Sequence, residues 1–258
     1  MLKDFFSYYF VYETDLPASI KGFREFGPEH ITWLVLLILT GFLACRWYRK
    51  LQPQTQRKVG HAIGITLVCM DAYKNIVLLA LGHMDVEYLP LHLCGLSIFM
   101  ELIYSYAETP FWGNVLYCLS APGALSALLF PDWIRYPVWN FMDIHDFTLH
   151  GLLVIYPCML LVAGKIKPDI RYFWKVMVFL IGLAVVMSGV NALLGTDFMF
   201  LRLPSVGSPL IAIRNLFGAR WYLAGCFLLV SSIVFLIYLP PLLYSMLKRR
   251  KQKIEQEK

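Results

Sequence analysis

Charge is scarce in this chain. Only 16% of its 258 residues are Asp, Glu, Lys or Arg, against about 25% in a soluble domain. That deficit excludes both a water-soluble enzyme of ordinary composition and a disordered chain. No CxxC pair occurs, and the six cysteines, at 45, 69, 94, 118, 158 and 226, all lie within or at the end of apolar runs. A zinc ribbon and a disulfide framework are thereby excluded. GxSxG, HExxH and P-loop motifs are missing, so neither a serine-hydrolase elbow nor a zincin or nucleotide site is expected. No cofactor and no metal is expected. There is no internal repeat of the kind from which many transporters are built. The opening MLKDFFSYYFVYETDLP carries acids too early for a secretory signal and lacks a small-residue cleavage site.

Apolar length is what the chain has. Hydrophobic residues make up 59% and mean hydropathy is +0.60. Seven apolar segments run over 30–48, 61–82, 89–106, 112–130, 146–163, 172–194 and 220–245, each near the roughly 20 residues that a bilayer requires. The pattern predicts an all-α, polytopic membrane helix bundle with seven transmembrane helices over 30–245. An N-terminal interfacial segment precedes it over 1–29, and a basic cytoplasmic tail follows over 246–258. WIRYPVWNF (133–141) reads as a short interfacial helix, because its aromatics suit the head-group region. The net charge of +6 is read as orientation and lipid contact, with no nucleic-acid partner. Fourteen Lys and Arg fall on one side (Arg46, Arg49, Lys50, Arg57, Lys58, Lys165, Lys167, Arg171 and six in the tail) and seven on the other, Lys3 among them. The N-terminus is expected outside and the C-terminus in the cytoplasm.

Polar residues inside the spans mark candidate sites. Asp71, Lys74 and Asn75 share one face of span 2, either as a site or as a self-neutralising pair holding helices together. In span 3, LPLHLCGLSIFMELIYSY, Pro90 suits a first helical turn. Cys94, Ser97, Glu101 and Ser105 recur on one face, with the sulfur near the outer end. His92 points elsewhere. A lone cysteine is more often a small buried hydrophobe than a nucleophile, but span 5 supplies a base. There His150 follows Asp146 by one turn and Asp143 by two, and either carboxylate can orient the imidazole. His145 is read as marking the water boundary. Counting from Leu89 and His145 puts Cys94 and His150 level, each roughly 7 Å below a helix start; a Cys–His pair then requires spans 3 and 5 to be neighbours. In span 6, Ser188 and Asn191 approach the outside, and Asn191 can either donate to an oxyanion or bond another helix. Asp197 and Arg202 follow in the outer loop.

LPLHLCGLSIF, the His-bearing fifth span, and NALLGTDFMFLRLP after the sixth resemble the YwaF-like family of bacterial seven-span membrane proteins. That family is related to the animal transmembrane protein 164. The resemblance spans about residues 28–245, and bacterial members often carry Asn-Tyr where this chain has Asp197-Phe198. It implies a cysteine-dependent acyltransferase of a bacterial cytoplasmic membrane, acting on phospholipid and lysophospholipid, with Cys94 as nucleophile and His150 as base. More distant lipid hydrolases use a Thr–His pair in a similar site. Asp146 would orient the base, and His92, Asn191, Lys74, Asp71 and Glu101 would support the site; which histidine is the base stays open. Two other functions fit the sequence. One is a proton-coupled solute transporter lined by Asp71, Lys74 and Glu101; the other is a non-catalytic membrane protein whose polar stripes hold its helices together.

Overall fold

The structure is a computed structural model that describes residues 7–205 and 207–256. Residues 1–6 with Lys3, residues 206, 257 and 258, and the side chains of the basic residues of the expected tail lie outside the described residues. All the long elements are helical, and there is no strand among the described residues. Helix α1 (Pro28–Tyr48) opens on a proline at its first position, where no N–H is needed. Helix α2 (Pro53–Leu81) does the same and ends at Gly82, φ +78°, the left-handed stop that glycine tolerates. It begins eight residues before the expected 61, because QTQRK continues the helix beyond its apolar run. Helix α3 is Leu93–Ala107.

Helix α4 comprises Pro110–Val115, a π-turn at Leu116–Ser120, and Ala121–Leu129, with helical φ and ψ across both joins. The π-turn lies just before Pro122, which has no N–H to offer the carbonyl of Cys118. Helices α5 (Phe141–Val162) and α6 (Phe173–Leu194) follow. Helix α7 (Leu210–Gln256) breaks at Gly218 (φ 71°, ψ 170°) and continues through the expected tail.

Six helices are long and apolar enough to cross a membrane. The segment read as the fourth span, α4, is split by its π-turn into shorter pieces, although it runs from one end of the bundle to the other. At its start Glu108 meets Lys165 (3.2 Å) and Arg57 (3.9 Å); at its finish the Leu128 carbonyl meets His30 at 2.7 Å. The first of these we term the basic end.

Helix α5 is the axis. Fifty-six per cent of its apolar window is buried, against 6% to 28% for the other five, and it packs on α1, α2, α3 and α4. Glycine allows this closeness. A Cβ on Gly41 of α1 would lie 3.3 Å from Ile155, one on Gly60 of α2 would lie 2.5 Å from the Tyr156 hydroxyl, and one on Gly151 would lie 2.5 Å from Leu37. The outer helices turn large apolar side chains away from the protein, among them Leu43 of α1, Val185 of α6 and Leu228 of α7.

Opposite the basic end, the N-terminal segment lies across the helix ends and forms a cap. The Asn140 amide donates to the Tyr8 and Val11 carbonyls, both at 2.8 Å, and Phe141 N–H donates to Tyr9. Tyr12 bonds Tyr88, and Asp15 meets His83 at 2.7 Å. The expected interfacial helix at 133–141 is instead two turns, closed by Tyr136 N–H to Trp133 and Asn140 N–H to Pro137. Pro137 interrupts any helical ladder, and the chain there is pressed against Gly22, where a Cβ would overlap the Ile134 carbonyl. Gly22→Ala should therefore cost about 1–3 kcal/mol by overpacking. Gly182→Ala, inside α6 with open space around it, should not lower the midpoint of thermal unfolding in detergent and should raise it slightly.

Candidate functional site

Pro90 does not enter a helix. Helix α3 starts at Leu93 with His92 as its extended cap residue (φ −68°, ψ 160°). The reason is steric: the backbone of Pro90 folds back over Gly95, where a Cβ would come within 2.6 Å of it. Cys94 therefore lies in the first turn of α3. Helix α5 starts at Phe141, five residues earlier than expected, where the Asn140 side chain accepts from Met142 N–H at 2.8 Å. His150 is thus about 14 Å along its helix, and the equal offsets counted from the two helix starts do not hold. The two helices are nonetheless neighbours. Cys94 packs against the cluster that Leu67, Ile98, Ala124, Leu149 and Leu153 form between α2, α3, α4 and α5, and Leu149 adjoins His150 in sequence.

The imidazole of His150 is fixed in one tautomer. Its Nδ1 is 2.8 Å from the main-chain carbonyl of Asp146. A carbonyl only accepts, so Nδ1 carries the proton and Nε2 is the basic nitrogen. The ring stacks on Trp133, with centroids 5.2 Å apart and planes at 15°. The orienting group is therefore the backbone of Asp146 and not its carboxylate, which lies 2.9 Å from His145 Nδ1. Asp143 is engaged elsewhere, accepting from Trp33 Nε1 at 3.2 Å. His145 is 5% exposed and does not mark a water boundary. Among the described residues no hydrogen bond joins Cys94 to His92 or His150.

The two most distinctive sequence segments meet. His92 Nδ1 accepts the Met199 N–H at 3.2 Å, and its ring packs on Phe198 and Phe200. Asn191 is consumed in holding that loop. Its amide donates to the Phe198 carbonyl (3.0 Å), while its oxygen accepts from Thr196 (3.0 Å) and Phe198 N–H (2.8 Å). With 2% exposure, it is a loop clamp and not an oxyanion donor. Asp197 accepts from the N–H groups of Arg202 and Leu203, and Tyr222 donates to the Phe200 carbonyl at 3.0 Å. These bonds hold Met199 (φ 62°) and Phe200 (φ 53°) in the left-handed region, which is costly for residues with a side chain.

Comparison with known proteins adds one match, the profile of the TMEM164 family over residues 25–238. The chain belongs to the TMEM164 family. No curated protein and no solved structure matches it. As in the sequence reading, this TMEM164-family chain is a multi-pass membrane protein, and both of its distinctive segments, joined at His92, lie within the matched residues.

The remaining polar residues of this family member divide in two. Near the cap, Lys74 donates to Asp71 (2.9 Å) and to the Tyr88 carbonyl (3.3 Å), and Asn75 donates to Asp71 (3.2 Å). The one-face reading of these three residues holds. Glu101 lies deeper, fully buried, with one oxygen accepting from Ser120 (2.9 Å) and the other without a partner. Gly64 of α2 is level with Leu102, so Asp71 is about two turns nearer the cap than Glu101, and the two do not meet.

The sequence reading missed Asp132. It is exposed between buried Pro131 and Trp133, yet it sits close enough to Cys94 and Asp146 to act on both. Desolvation of its carboxyl, reinforced by the nearby Asp146 carboxylate, pushes it up to about 6. Asp-Trp in a turn carries no motif that could have revealed it.

Two outcomes follow for this site. Asn191→Ala should cost about 1–3 kcal/mol through the bonds it leaves unmade, read as a lower thermal midpoint and faster proteolysis at 196–205. For Asp132 the raised value means that folding favours its protonated form. Its contribution is full below the unfolded value near 3.8 and is lost as pH rises through about 6. Asp132→Asn should flatten that part of the wild-type decline in thermal midpoint between about pH 4 and 6.

Proposed function

We propose that this protein is a bacterial, YwaF-like lipid acyltransferase of the cytoplasmic membrane, with α4 as a seventh span, the N-terminus outside and the basic end in the cytoplasm. The excess of Lys and Arg at the basic end supports that orientation. The observation that carries the catalytic reading is a shared apolar cluster: Cys94, in the first turn of α3, packs against it, and Leu149, next to His150 in sequence, belongs to it, while His150 is held with Nε2 as its basic nitrogen.

In this reading His150 Nε2 takes the proton of the Cys94 thiol as sulfur attacks the ester carbonyl of a phospholipid. The first-turn N–H groups of α3, which have no partner within the helix, face the developing oxyanion. Collapse breaks the ester C–O bond, His150 returns the proton to the departing lysophospholipid oxygen, and the acyl chain remains as a thioester. An acceptor lysophospholipid then gives its hydroxyl proton to His150 as its oxygen attacks the thioester; the C–S bond breaks, the acyl chain leaves as the new ester, and His150 returns the proton to the Cys94 sulfur. The Asp146 carboxylate lies near enough to His150 to stabilise the imidazolium. His92 is the poorer base, since its Nδ1 lone pair is occupied by Met199 N–H. Glu101, sealed in the core and separate from Asp71, offers no continuous polar path for a transported solute.

The test uses protein in nanodiscs with an acyl-labelled diacylphospholipid and an unlabelled lyso-ether acceptor. Wild type should transfer label and carry a hydroxylamine-sensitive acyl adduct. Cys94→Ala should lose both, and His150→Ala should lose at least about 100-fold in rate. Equal background in all three proteins, across several head groups, would overturn the reading.

A further inference from the structure

The basic end contains a cavity of about 310 Å³ between the finish of α3, the start of α4 and the finish of α5, lined by Glu108, Thr109, Gly113, Lys165, Ile166 and Lys167. Its cationic wall is built into the fold. Gly164 turns the chain at φ +73°, and the N–H groups of Lys165 and Ile166 both donate to the Leu160 carbonyl. Ile166 is 3% exposed and anchors the strip in the core beside Tyr104. With Ile166 anchored inward, the lysines on either side of it line the cavity.

The charges there do not cancel. Glu108 is the one acid of the lining, and it is already shared by Lys165 at 3.2 Å and Arg57 at 3.9 Å. Lys167 is exposed and has no ion-pair or hydrogen-bond partner among the described residues. Two lysines thus face one carboxylate in the lining, and that carboxylate is further neutralised by Arg57 from outside it, at the edge of the apolar spans, where phospholipid phosphates lie. Basic pockets between transmembrane helices are suited to anionic head groups.

We propose that this cavity binds a phosphate-bearing anion, the head group of an anionic phospholipid in the leaflet at the basic end. Lys167 and Lys165 contact the phosphate, and the acyl chains lie along the apolar faces of the adjoining helices. The site is at the opposite end of the bundle from Cys94 and stands independently of the acyl-transfer reading.

The test is the thermal midpoint of delipidated full-length protein in detergent, titrated separately with dioleoyl phosphatidylglycerol, dioleoyl phosphatidylcholine and inorganic phosphate. The variants are Lys165→Gln/Lys167→Gln and, as a control at the same end outside the cavity, Arg49→Gln/Lys50→Gln. Phosphatidylglycerol should raise the wild-type and control midpoints by about 5 °C at saturation. Phosphatidylcholine should not, and the Lys165/Lys167 variant should lose the shift. On wild type alone, raising salt from about 0.05 to 0.5 M should shrink the shift, a readout that does not depend on the variant folding. Equal shifts with both lipids, an undiminished shift in the Lys165/Lys167 variant, or a salt-independent shift would overturn the proposal. An equal shift with inorganic phosphate alone would overturn the lipid assignment and leave a free-anion site.

Discussion

Everything in this bundle depends on how closely other helices can approach α5. Lipid supplies no hydrophobic drive between helices, so their association rests on close packing and on the few polar bonds between them. Gly41, Gly60 and Gly151 remove the side chains that would hold α1 and α2 away from α5. The result is a helix with its side chains turned into protein over most of its length. That burial lets α5 carry Asp143, His145, Asp146 and His150 at all, since polar groups facing acyl chains would be costly.

The same constraint accounts for the cap. Because α5 starts early, its first turns project beyond the start of α3, and they need cover. The N-terminal segment and the 130–140 turns provide it through Asn140, which both caps the helix and binds the backbone of residues 8 and 11. On the far side, the loop after α6 is drawn onto His92 and held in a strained form by Asn191, Asp197 and Tyr222. The region around Cys94 and His150 is therefore bordered by irregular chain held by side-chain-to-backbone hydrogen bonds, which such chain needs near a membrane.

The sequence disclosed the helices well and their ends poorly. Hydropathy located each apolar run, but α2 and α7 continue through polar residues that hydropathy counts as loop. Proline misled at α3, where Pro90 lies outside the helix and Gly95 admits its backbone, a tertiary contact with no local signal; at 133–141 the aromatics misled, and Pro137 was the signal against a helix. The helix-face arithmetic placed Asp71, Lys74 and Asn75 correctly, since those contacts lie within one helix. It erred at His150, where a carboxylate one turn away was expected to reach the ring and the backbone carbonyl at the same spacing took its place. Asn191 showed the reverse pattern, a residue whose type allowed two roles and whose loop decided between them.

The bonds from Asn140 to Tyr8 and Val11 span 132 and 129 residues of chain. Residues 8 and 11 thus find their binding surface only after α4 and the start of α5 have been made. Until then the N-terminal segment waits on its side of the bilayer without a partner. Closure of the cap is consequently a late event in biogenesis, and the polar residues of α2 and α5 pass through the translocation machinery before the chain that will cover them is in place.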